Sequence, residues 1–145
     1  MILTVVEPIM MKNAADCGIA CMAMLVGKSY GEVMAALPAR RRTAVVDHEG
    51  LSVRQMKLLA TRLGVRLCYS PIREQTEFYT DKAGILDLDR PCDPTKPNGE
   101  HEGHFVFYAK DTIYNPAEGL WWLDTEAFFK TRRWEAVGVL VLEDE

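Results

Sequence analysis

The stretch Asp16-Cys17-Gly18-Ile19-Ala20-Cys21-Met22-Ala23-Met24-Leu25-Val26-Gly27 decides how this chain is read. From Cys17 to Val26 it is apolar almost all the way round, the mark of a helix buried at the centre of a fold. Asp16 is a good N-cap before it, and Gly27 closes it as a C-cap would. Cys17 then stands in the first helical turn, where unpaired backbone N–H groups and the positive end of the helix dipole favour a thiolate. A thiolate is the nucleophilic form of cysteine, and a helix start is one of the places that lowers a thiol's pKa. Gly18 beside it leaves room for a substrate backbone to approach. Cys21 sits mid-helix, where a structural cysteine belongs.

Working outward, a short helix is expected from Ser29 to Leu37, stopped by Pro38. Ser52 to Leu63 is amphipathic: Val53, Met56, Leu59, Ala60 and Leu63 share a face, and Gly64 ends it. Val65 to Tyr69 and Ala83 to Leu88 read as strands. Asp89 to Gly103 reads as a long polar loop bordering a cleft, the kind of segment that is usually functional. His104 to Ala109 and Thr112 to Tyr114 form a hairpin across Lys110-Asp111, and Asn115 to Gly119 is a turn. Thr125 to Arg132 is a short helix, and Ala136 to Leu142 a closing strand. Helices first and antiparallel strands afterwards make an α+β domain, and residues 1–145 read as one domain.

Composition narrows the function. The chain has 145 residues, 17 Lys+Arg against 21 Asp+Glu, and a net charge of −4. Its longest basic run is Arg40-Arg41-Arg42, which argues against a phosphate-neutralising face and hence against nucleic acid. No run of about 18 apolar residues exists to span a membrane. The start, Met1 to Pro8, lacks a basic n-region and a cleavage site, so it reads as an extended segment, and the cytoplasm is the default address. The four cysteines, Cys17, Cys21, Cys68 and Cys92, are too few for a disulfide scaffold. They are also poorly spaced for zinc, although a mixed site with His101 and His104, or one of Cys17, Cys21 and His104, can be drawn. Cys21 and Cys68 are expected in the core.

A thiol nucleophile needs a base, and the base an orienter. His104 opens a strand at the edge of the loop, and Asn115 ends the neighbouring strand of the same hairpin. The turn between them returns Asn115 alongside His104, where its amide oxygen can accept from the imidazole and hold its tautomer. His101 in the loop is a rival base, and a plain Asn-Pro turn is the structural alternative for Asn115. Trp121 or Trp122 is placed to cover the His–Asn bond or else to pack in the core. Arg132-Arg133-Trp134 reads as a cation–π pair or a docking spot.

Together these blocks resemble the bacteriocin-processing cysteine peptidase domains, a papain-like family. Asp16 to Met24 is similar to their nucleophile helix, His104-Phe105-Val106-Phe107-Tyr108 to their histidine strand, and Tyr114-Asn115-Pro116-Ala117-Glu118-Gly119 to their Asp-Pro-Ala-x-Gly turn. Gly50-Leu51-Ser52 leading to Leu58-Leu59-Ala60 and Leu63-Gly64 matches the family's middle helix. The resemblance implies a papain-like fold, with a nucleophile helix packed on a C-terminal antiparallel sheet. It implies Cys17 as nucleophile, His104 as general base and acid, Asn115 as orienter, Gly18 and Gly103 at the substrate, and no metal or cofactor. The family carries a glutamine six residues before the nucleophile as an oxyanion donor, and here that position is Met11. Asn13 is the nearest side-chain amide that could replace it.

Two functions follow. One is a stand-alone cysteine peptidase, or other thiol-dependent acyl-transfer enzyme, with a peptide or protein substrate and no implied leader processing. The other is a pseudo-peptidase that keeps the cleft as a peptide-binding or inhibitory module. The acidic residues Asp89, Asp93, Glu100 and Glu102 would favour a basic or extended peptide if their loop borders the cleft.

Overall fold

The computed structural model describes residues 8–12, 16–46, 50–73, 82–91 and 101–143. Four helices come first: α1 (Cys17–Val26), α2 (Tyr30–Ala36), α3 (Ala39–Val46) and α4 (Val53–Arg62). Strands follow as β1 (Leu67–Pro71), β2 (Gly84–Pro91), β3 (His101–Ala109), β4 (Thr112–Asn115) and β5 (Leu120–Trp122). Helix α5 (Thr125–Arg132) and strand β6 (Glu135–Leu142) complete them. The six strands form one antiparallel sheet in the order β1-β6-β2-β3-β4-β5, so the α+β expectation holds.

Local chemistry explains the boundaries. Ser29 caps α2 and Ser52 caps α4, each in a full capping box with Glu32 and Gln55. Gly27 ends α1 in the left-handed region at φ 72°, where other residues would be strained. Asp16, expected to cap α1, does not: its carboxylate makes no cap bond and instead accepts from the Lys12 N–H at 3.0 Å and the Tyr30 hydroxyl at 2.5 Å. Those two donors hold it inward, where it is fully buried. The sequence reading missed α3, which begins directly after Pro38, and β5, a three-residue edge strand of mostly aromatic residues.

The sheet separates two apolar clusters. Ile85, Phe105, Phe107, Tyr114 and Leu140 pack with Ile19, Met22, Val33, Met56 and Leu59 of the early helices. On the other face Leu86, Leu88, Val106, Tyr108, Ile113 and Ala136 pack with Phe128 of α5 and with Trp134. Cys68 corrects an expectation: it is exposed, because β1 is an edge strand and its alternation sends Leu67 into the core and Cys68 outward. Met1–Glu7 and Cys92 lie outside the described residues.

Part of the expected polar loop is strand instead. Strand pairing continues through Asp89↔Gly103, Arg90↔Glu102 and Pro91↔His101, so only residues 92–100 of it lie outside the described residues. The polar strand ends are tolerated because Arg90 has partners. Its guanidinium lies 3.8 Å over the Trp134 ring and donates to the Arg132 carbonyl at 2.7 Å.

Candidate active site

The site forms where β4 stops short. That strand pairs with β3 only from Phe107 to Ala109, which leaves the preceding stretch of β3 without a strand partner on that side among the described residues. The first turn of α1 fills the gap. The Phe105 N–H, which a longer β4 would have taken, donates to Cys17 Sγ at 3.4 Å. The sulfur thus lies against the peptide that follows His104. On the same stretch, His104 Nε2 and Asn115 Oδ1 are 2.8 Å apart. Cys17 on α1 is thus brought to the peptide that follows His104 on β3, although 88 residues separate Cys17 from Phe105, and His104 is paired with Asn115 at the end of β4.

Asn115 is buried, at 4 % exposure. Its Oδ1 also accepts from the Ala117 N–H at 3.2 Å, and its Nδ2 donates to Glu118 Oε1 at 2.6 Å. The turn is closed by Glu118 and Gly119 N–H groups on the Asn115 carbonyl, with Gly119 at φ 69°. Glu118 is in turn paired with Arg132, whose Nη2 lies 2.5 Å from its Oε2. The Arg132 guanidinium first, and the Asn115 amide after it, hold the Glu118 carboxyl below its ordinary range.

Cys17 overturns one expectation. Burial outweighs the helix start and pushes its thiol up from 9.0 to about 11. The N–H groups of Phe105 and Gly18 pull the other way, and the neighbouring Asp16 charge adds to the rise. Cys21, wholly buried, is raised well above its ordinary value, by desolvation first and then by Cys17.

Gly18 is closely packed. A side-chain carbon there would stand 2.8 Å from Met56 Sδ and 3.4 Å from Phe105 Cδ2. Its smallness lets α1 seat on α4 and β3. Gly103 differs: it is exposed, and the nearest atom to such a carbon is the Leu88 carbonyl oxygen at 4.0 Å. Asn13 and the side chain of His101 lie outside the described residues. Met11 is fixed by its N–H on the Pro116 carbonyl at 3.0 Å, and its side chain packs against the core.

The tryptophan over the histidine is neither of those expected. Trp134 stacks on His104 with ring centres 5.2 Å apart and planes at 22°, and Arg90 covers the ring as well. Trp121 packs on Tyr114 and Phe107, and Trp122 on Phe128 and beneath Arg132. Glu118 is not singled out by the sequence, and Trp134 reads there only as part of a cation–π pair or docking spot; its cation–π partner is Arg90. The i, i+3 spacing of Asn115 and Glu118 across a Pro-containing turn was the available signal for Glu118. Among the described residues, no three His, Cys, Asp or Glu side chains gather as metal ligands would.

A cysteine at the start of a buried helix, set on an antiparallel sheet beside a histidine strand, is the arrangement of papain-like cysteine peptidases. The chain belongs to the Peptidase C39 family, whose model matches residues 6–144. That family is the bacteriocin-processing peptidase family, and membership in it supports a cysteine peptidase. A search among curated proteins returned no match. No single helix among the described residues is long and apolar enough to cross a membrane.

Proposed function

We propose that Cys17, His104 and Asn115 act as a catalytic triad that hydrolyses a peptide bond through a thioester, in a protein able to work as a stand-alone domain in the cytoplasm. What supports this reading is that the Cys17 sulfur accepts from the N–H of Phe105, the residue after His104, while His104 itself is paired with Asn115. The Asn115 oxygen calls for a proton on His104 Nε2, which leaves Nδ1 as the lone-pair nitrogen. Nδ1 takes the thiol proton as Cys17 Sγ attacks the substrate carbonyl carbon. The imidazolium then gives that proton to the departing amine, which leaves an acyl thioester on Cys17. Water, deprotonated by the same nitrogen, attacks the thioester and releases the acid and the thiol. The backbone N–H groups at the start of α1 supply oxyanion donors, and Asn13 is the side-chain candidate. The chemistry calls on no metal or cofactor, and the substrate is a peptide or protein.

The test is incubation of the protein with a proteome-derived peptide mixture, read by mass spectrometry for new termini and for an acyl adduct on Cys17. Cleavage that disappears in Cys17→Ala supports the triad. A wild-type protein that neither cleaves nor acylates would overturn hydrolysis.

One observation favours a second reading, a cleft-bearing pseudo-peptidase that binds peptides or inhibits. At the position of the family's glutamine stands Met11, whose side chain packs on the core. Loss of one oxyanion donor costs about 2.7–4 kcal/mol of barrier, roughly two to three orders of magnitude in turnover.

A further inference from the structure

Asn and Gln amides can be turned end for end at little steric cost, so an orienting amide works only if something fixes which end faces the base. In this protein two neighbours of opposite character do so. The Ala117 N–H is a donor and nothing else, and it lies 3.2 Å from Asn115 Oδ1. The Glu118 carboxylate is an acceptor and nothing else, and it lies 2.6 Å from Asn115 Nδ2. Reversing the amide would set donor on donor at Ala117 and acceptor on acceptor at Glu118. Glu118 is itself held, by two contacts from Arg132 at the last turn of α5, the Nε one at 3.2 Å. Arg132 is fixed in turn by its carbonyl, which accepts from Arg90. The chain of contacts runs from α5 through Glu118 and Asn115 to Nε2 of His104.

We propose that Glu118, clamped by Arg132, is a positioning residue of the reaction, because it sets the Asn115 amide so that His104 carries its proton on Nε2 and offers Nδ1 to Cys17. This rests on the triad reading above, and it names a determinant of the base's tautomer that the triad alone does not contain. Nothing in the turn's backbone geometry requires an acid at position 118. The turn closes through backbone N–H groups and Gly119. A carboxylate there therefore serves the side chains.

The test uses the full chain labelled with 15N-histidine, with the His104 signals identified by their loss in His104→Gln. At mildly alkaline pH the two ring nitrogens report directly which one bears the proton. The same samples are alkylated with iodoacetamide, and the Cys17 rate is read by peptide mapping. Wild type is expected to show the Nε2–H form. Glu118→Leu is expected to show both tautomers and to slow His104-dependent alkylation about tenfold, the worth of one hydrogen bond to a charged group. Glu118→Gln keeps an acceptor for Asn115 Nδ2 and is expected to restore the wild-type tautomer and most of the rate. A folded Glu118→Leu protein with wild-type tautomer and rate would overturn the proposal. So would equal losses in the Leu and Gln variants, since position 118 would then be merely structural. If Glu118→Leu does not fold, Arg132→Met decides: a rise of the Nδ1–H form with a slower rate supports the clamp, and no change in either refutes it. Failure of the triad reading looks different, as wild-type alkylation that is indifferent to His104→Ala whatever the tautomer.

Discussion

His104→Ala gives the most direct measure of what the histidine does for Cys17, because the structure sets a large baseline against it. A thiol at about 11 is ionised to roughly one part in ten thousand at pH 7. An ordinary exposed cysteine at about 8.5 is ionised to roughly 3 %, so the thiolate fraction of Cys17 alone is about 300-fold lower. Exposed Cys68 is an internal reference in the same molecule. If His104 accepts the thiol proton, wild-type Cys17 should alkylate faster than Cys68 and show a plateau near neutral pH. In His104→Ala no base is left to take the proton, so alkylation depends on the thiolate alone. Cys17 should then fall about two orders of magnitude behind Cys68 and rise about tenfold per pH unit toward 11. The assay is alkylation with iodoacetamide at a series of pH values, read by peptide mapping. A wild-type profile that also climbs tenfold per unit without a plateau, or a variant with the wild-type profile, would refute the role given to His104.

Alkaline stability provides an independent check with a definite sign. The folded Cys17 pKa is raised, so its contribution is fully present below 9 and is lost as pH rises from 9 to about 11, a loss of about 2.7 kcal/mol. Urea unfolding of Cys17→Ala should show a shallower decline over that range than wild type, and parallel declines would argue against the shift. Gly18→Ala should force the buried Met56 side chain to shift at a net cost of no more than about 1 kcal/mol, since the collision is with its flexible Sδ end, whereas Gly103→Ala should leave the urea midpoint unchanged. Met11→Gln should raise peptide turnover by about 10- to 100-fold if a missing oxyanion donor limits it. An unchanged rate together with normal Cys17 alkylation would place the donor elsewhere.

Features with local causes were legible in the sequence. The buried helix from Cys17 to Val26, the Ser29 and Ser52 starts and the β3–β4 hairpin all follow from patterning, capping and turn residues within a few positions of one another. The nearness of His104 to Asn115 follows from the hairpin for the same reason. What stayed hidden depends on packing between distant segments. Trp134 reaches His104 because β6 pairs with β2, beside β3, and two tryptophans nearer to Asn115 in sequence were better candidates on spacing alone. Asp16 has the composition of an N-cap, yet Tyr30 in α2 claims its carboxylate. The role of Gly18 likewise turns on Met56, which lies 38 residues away in α4.

The thiol of Cys17 shows how such hidden packing changes the chemistry. At the level of sequence a helix start implies a lowered pKa, because the dipole and free N–H groups act on the first turn. Those groups are present, and the Gly18 and Phe105 N–H groups do pull the value down. A worth of about 1 kcal/mol from a helix end cannot offset desolvation of a charge at 9 % exposure, with Asp16 buried beside it. The helix start therefore does not by itself create a standing thiolate. It supplies donors that become effective once the proton has somewhere to go, and the imidazole nitrogen that does not face Asn115 is the proposed acceptor. On this account reactivity depends less on Cys17's own surroundings than on the precision with which the Asn115 turn, 98 residues away in sequence, holds the imidazole.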